Sequence, residues 1–136
     1  MNLAFEIDLD PDLQRVLSEL GRSVEEVTAK IVKTIAEDAP GEMQAIMAGS
    51  SPSGKPAPGG GKHSAKGQAP AIVTRELFRS LQGKVVSPTE AEILMADHGF
   101  YLDPLFEGEP GGGGYLDRPF IELGLNRTIA KSLSDL

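Results

Sequence analysis

The chain has 136 residues, 40% of them hydrophobic, with 16 Gly, 10 Pro, no Cys, no Trp and a formal net charge of −7. That length suits one domain, 1–136, around a single core. Lack of cysteine excludes a disulfide framework, a thiol nucleophile and a thiolate metal site, and the acidic balance argues against general nucleic-acid binding, which needs clustered Lys and Arg against phosphate.

With five Phe and two Tyr, the core must be built mostly from Leu, Ile and Val. Met1 to Glu6 carry no basic n-region or apolar run, and no stretch approaches the ~20 apolar residues of a membrane span. The expectation is a soluble intracellular protein with no membrane partner.

In chain order, Leu3–Ile7 alternates weakly and predicts a short strand. Asp10-Pro11 is a helix start, an acceptor at the N-cap followed by a preset φ. Leu13, Val16, Leu17 and Leu20 then recur at helical spacing, and Gly21 can close the helix. Ser23 to Glu26 reads as a capping box for a second helix with an apolar stripe through Val24, Val27, Ile31 and Ile35. Pro40 and Gly41 interrupt that pattern, with a further turn or two through Met43, Ile46 and Met47.

From 49 to 70 the chain is Gly, Pro, Ser and Lys, with little to bury, and predicts a long flexible basic loop. Thr74 is the expected N-cap of a short helix carrying Leu77, Phe78 and Leu81, ended by Gly83. Lys84–Ser87 and Glu90–Ala96 then read as a hairpin turning at Pro88-Thr89. Residues 98–106 suggest strand or packed turn. Gly108–Gly114, with five glycines and a proline, is a flexible connection. Asp117 is the expected cap of a last helix opened by Pro119, with Phe120, Leu123, Arg127, Ala130 and Leu133 on overlapping faces. The fold class is α+β: N-terminal helices, a small antiparallel sheet and a C-terminal helix.

Charge is segregated. Residues 1–50 hold ten acids and four bases, residues 51–84 six bases against Glu76, and residues 85–136 nine acids and three bases. A basic middle between acidic flanks suits head-to-tail contact between identical subunits, or a loop that reaches an acidic neighbour. The plainer reading is a charged loop that serves solubility.

Candidate chemistry is sparse. Gly59-Gly60-Gly61-Lys62-His63-Ser64 invites a phosphate-loop reading, but Pro56 and His63 stand where that pattern needs Gly and Ser or Thr. His63 and His98, with Asp97 and Asp103 near the second, fall short of the converging ligands a metal requires, and Asp97-His98 reads as a turn. Glu90 and Glu92, like Glu107 and Glu109, could form an acid/base pair, yet alternation on a strand more simply marks a solvated face. No enzyme, cofactor or metal is expected.

Two strings carry more information: Pro70-Ala71-Ile72-Val73-Thr74-Arg75-Glu76-Leu77-Phe78-Arg79-Ser80 and Arg118-Pro119-Phe120, with Phe106-Glu107-Gly108 between them. In this order and spacing they resemble the neck and tail-completion proteins of long-tailed bacteriophages, whose first motif reads Pro-Ala-x-x-Thr-Gly-x-Leu-x-x-Ser. Arg75 stands where that family usually has Gly, and Phe106-Glu107-Gly108-Glu109 departs from its Glu-Phe-Gly-Thr.

The resemblance implies a virion structural protein at the head–tail junction, assembled in the host cytoplasm. It would form a ring, sixfold, that passes genomic DNA without reading its sequence and contacts head-completion and tail-tube proteins. A tail terminator capping the tail tube is the near alternative. A prophage-derived binding module that offers its basic loop to an acidic protein is the distant one. Lys55, Lys62, Lys66, Arg75, Arg79 and Arg118 are the subunit-interface candidates. Pro70, Thr74, Leu77, Phe78, Pro119 and Phe120 are the architectural ones.

Overall fold

The computed structural model describes residues 2–57, 60–72 and 75–135. Along the chain run β1 (Asn2–Glu6), α1 (Pro11–Glu19), α2 (Val24–Ala48), α3 (Glu76–Ser80), β2 (Gln82–Ser87), β3 (Glu90–Leu94), α4 (Gly99–Leu102), a 3-10 turn (Pro104–Phe106) and α5 (Ile121–Ser134). The three strands form one antiparallel sheet in the order β1-β3-β2. The fold is α+β, as the patterning indicates. Among the described residues no helix is long and apolar enough to cross a membrane.

The first two helices start where their caps place them. The Asp10 side chain accepts from the Asp12 N–H at 2.7 Å, and Ser23 Oγ accepts from the Glu26 N–H at 3.3 Å. Gly21 turns the chain after α1 with φ +70. The α1 stripe is only half covered, since Leu17 is buried while Val16 and Leu20 stay exposed.

Helix α2 runs unbroken through Pro40 and Gly41, against the interruption expected there. A proline inside a helix has no N–H for the carbonyl four residues back, here that of Ala36. This stretch of α2 is walled in: Ile35, Ala36, Ala39, Pro40 and Met43 are all buried. Strand β2 sits directly against that carbonyl. A Cβ placed on Gly83 would lie 1.8 Å from Ala36 O, so only glycine permits this approach. Gly83 therefore belongs to the sheet and does not end α3, which stops at Ser80.

The core is one cluster in which α2 packs against the sheet through Ala91 and Ile93, both fully buried, and against α5. Helix α5 turns a different face inward from the one its leucines suggest. Ile121, Gly124, Thr128 and Ser132 are buried, while Leu123 and Leu133 are exposed. Small residues bring the helices close: a Cβ on Gly124 would meet Met43 Cγ at 2.5 Å. The buried Thr128 hydroxyl is satisfied by the Gly124 carbonyl at 2.9 Å.

Residues 98–106 are helical turns, with Phe100 stacked near Phe106 at a centroid distance of 5.3 Å. The cap of α5 is Asp103, not Asp117. Asp103, 2% exposed, accepts from the Phe120 and Ile121 N–H groups, each at 2.8 Å, and from the Leu105 N–H at 2.9 Å. Asp117 instead takes a left-handed turn with φ +50, and Pro119 precedes the helix without opening it. Phe120 is fully buried, as its anchoring role requires. Thr74, the expected cap of α3, lies outside the described residues.

Candidate functional site

Among the described residues, the features outside the core include the loop between α2 and α3, a pocket beneath it, and the two edge strands of the sheet.

The loop has a defined course. Gly54 N–H donates to His63 O at 2.7 Å and His63 N–H to Lys55 O at 2.8 Å, with a bridge between Pro56 and Lys62, so the segment doubles back as a hairpin-like finger. One side chain makes most of the ties at its base. Gln68 Oε1 accepts from the Ser53 N–H, the Ser53 hydroxyl and the Ala65 N–H at 3.0, 3.3 and 2.7 Å, and Nε2 donates to Ser51 O at 3.1 Å. Ser50 Oγ donates to Ala69 O, and Gly67 N–H to Asp117 O. The loop thus joins the start of the Arg118-Pro119-Phe120 string, although little in it is apolar.

In the finger Lys62 lies opposite Pro56 and Lys55 opposite His63, and both lysines, with Lys66, are exposed. Arg75 and Arg79, at the two ends of α3, are exposed as well. Arg118 is half-buried, and its guanidinium donates to the carbonyls of Leu116 and Asp117, which fastens its own turn. Of the architectural residues, Pro70 and Leu77 are buried, while Phe78 and Pro119 are half-buried.

Under the finger lies a pocket of about 240 Å³. Met47, Leu77, Phe78 and Leu102 give it apolar walls, and His63, Ser64, Arg75 and His98 supply polar groups. The two histidines, 35 positions apart in sequence, are the chain's whole complement, and both face this space. Among the described residues no three His, Asp or Glu side chains gather as metal ligands.

Among the described residues β1 and β2 are the edge strands of the sheet, and no further strand pairs with either. All of β2 but Ser87 is exposed, including Val85 and Val86 at 46% each, and a bulge falls between Val85 and Ser87. Its one charge is Lys84, whereas β1 carries Glu6 and is followed by Asp8. An edge with unpaired main-chain groups is a template for another strand.

Sequence reasoning missed Asp103, Gln68 and Gly83. Asp103-Pro104 repeats the Asp10-Pro11 signal and could have been read as a cap; nothing local marks the other two. No protein-family model, curated protein or solved structure matches this chain.

Proposed function

We propose that the chain is a self-associating structural subunit, forming a closed ring at the head–tail junction of a long-tailed phage. The observation that carries this reading is the pair of open sheet edges with opposite charge. Pairing β2 with β2 would set Lys84 against Lys84, and pairing β1 with β1 would set Glu6 against Glu6. Joining β2 of one copy to β1 of the next brings unlike charges together. Such a head-to-tail contact uses two different surfaces on each subunit, and it closes into a ring when the rotation allows. Exposed Val16, Leu20, Leu123 and Leu133 offer further apolar area for neighbours to cover.

Two details favour the resemblance behind this assignment. Arg75 occupies the position where the phage motif has Gly, and its backbone is left-handed with φ 66, the conformation that glycine serves. Arg118-Pro119-Phe120 leads into α5 with Phe120 fully buried. On the same resemblance the ring is sixfold, passes DNA and sits between head-completion and tail-tube proteins, either as a neck subunit or as a tail terminator. A second reading, a binding module for an acidic protein, is favoured by the exposure of Lys55, Lys62 and Lys66 on one loop.

The test is mass in solution and on particles, for the wild type and for Glu6→Lys. Glu6 lies opposite Glu90 in the β1–β3 register, so the reversal relieves repulsion within the fold while opposing Lys84 of a neighbour. Melting temperature should hold or rise while the oligomer dissociates, and Glu6→Lys with Lys84→Glu should recover part of the assembly. A wild type that is monomeric at every concentration and missing from particles defeats the proposal. Deleting residues 51–68 asks separately whether the finger joins heads to tails.

A further inference from the structure

We propose that the pocket beneath the finger is a binding site for a small apolar carboxylate, a compact aromatic or branched aliphatic body with one anionic head. The site does not depend on the assembly reading. Three observations carry it.

The first is convergence. A chain with two histidines brings both to one pocket of about 240 Å³, from the finger and from the turn after β3, and adds Arg75 and Ser64 there. These groups reach the space from three separate segments. A guanidinium fork and an imidazole N–H are both hydrogen-bond donors suited to a carboxylate.

The second is the lining. Met47, Leu77, Phe78 and Leu102 form an apolar wall, so a bare inorganic anion would leave most of the surface unmatched. A ligand with an apolar body and a single charged end satisfies both parts. The volume is below the usual range of roughly 300–1,000 Å³ for drug-sized ligands, which points to a body no larger than a single ring.

The third is the backbone of Arg75. Its φ of 66 lies in the left-handed region, and its side chain makes no capping hydrogen bond at the start of α3. A left-handed conformation is unfavourable for a non-glycine residue, and glycine at this position would avoid that cost. The turn therefore gains nothing from an arginine, whereas the pocket gains a basic lining residue.

The experiment follows the His63 and His98 imidazole signals by NMR while benzoate is titrated in. Benzyl alcohol (same body, no charge) and acetate (same charge, no body) serve as controls. Benzoate should move both histidines along one saturable curve, with each control at least tenfold weaker. Arg75→Gly should keep or raise the melting temperature and weaken benzoate at least tenfold. His98→Gln, which keeps a donor, should weaken it less than His98→Ala. The assignment is overturned if benzoate leaves the histidines unmoved, if benzyl alcohol or acetate matches it, or if Arg75→Gly binds as the wild type does.

Discussion

The body formed by α2, α5 and the sheet is held by burial, whereas the finger of residues 50–72 is held by hydrogen bonds that centre on one glutamine. Among the described residues, eighteen apolar side chains make a single buried cluster in and around that body, and changes there should act on the whole cooperative unit. In the finger, Gln68 alone serves Ser51, Ser53 and Ala65, and changes should act locally. The contrast separates what makes this chain fold from what gives it a surface to use.

The sharpest way to break the body is at Gly83. Valine is a better strand former than glycine, so an argument from propensity alone expects Gly83→Val to stabilise. The 1.8 Å approach of a Cβ to Ala36 O requires the opposite. A backbone atom cannot rotate aside as a side chain can, so β2 must lift from α2. The loss should be about 3 kcal/mol or more, at the upper end of overpacking, measured as a drop in the denaturant midpoint.

Asp103→Ala comes next. It strips three N–H groups of their acceptor, two of them buried at the start of α5. Capping losses run near 1 kcal/mol, and each buried unsatisfied donor adds more, so about 2–4 kcal/mol is expected. Asp103→Asn, which keeps one acceptor oxygen, should recover part of it. If Asp117→Ala cost as much as Asp103→Ala, the assignment of the cap would be wrong. Gly124→Ala should cost less than Gly83→Val, about 1–3 kcal/mol, because the 2.5 Å contact is with a side-chain atom, Met43 Cγ, while Met43 N and Cα at 3.2 and 3.3 Å leave the helices little room to adjust.

These sites also mark where the sequence was legible. Asp10-Pro11 and Ser23 announce their helices through local chemistry, and the hairpin through Pro88-Thr89 is equally plain. Pro40 misleads, because a proline stops a helix only where nothing else holds it, and here burial along α2 does. The face of α5 misleads for a related reason. Hydrophobic periodicity points to Leu123 and Leu133, but close helix packing selects small residues, and Gly124, Thr128 and Ser132 carry no apolar signal. The charge segregation could be read directly. That His63 and His98 line one pocket could not, since it depends on how the finger folds back.

The mildest test belongs to the finger. Gln68→Ala removes four hydrogen bonds, yet three of the four are exposed and water can replace the lost partners. Global stability should fall by about 1 kcal/mol or less, while amide exchange at Ser53 and Ala65 and proteolysis within 51–67 should rise well beyond what that change implies. Gln68→Glu separates geometry from charge. It keeps the acceptor for the Ser53 and Ala65 N–H groups but turns the Ser51 contact into two facing oxygens, so protection should return at Ala65 and not near Ser51. If Gln68→Ala leaves exchange at Ala65 unchanged, the glutamine does not organise the finger, and the two regions share one source of stability after all.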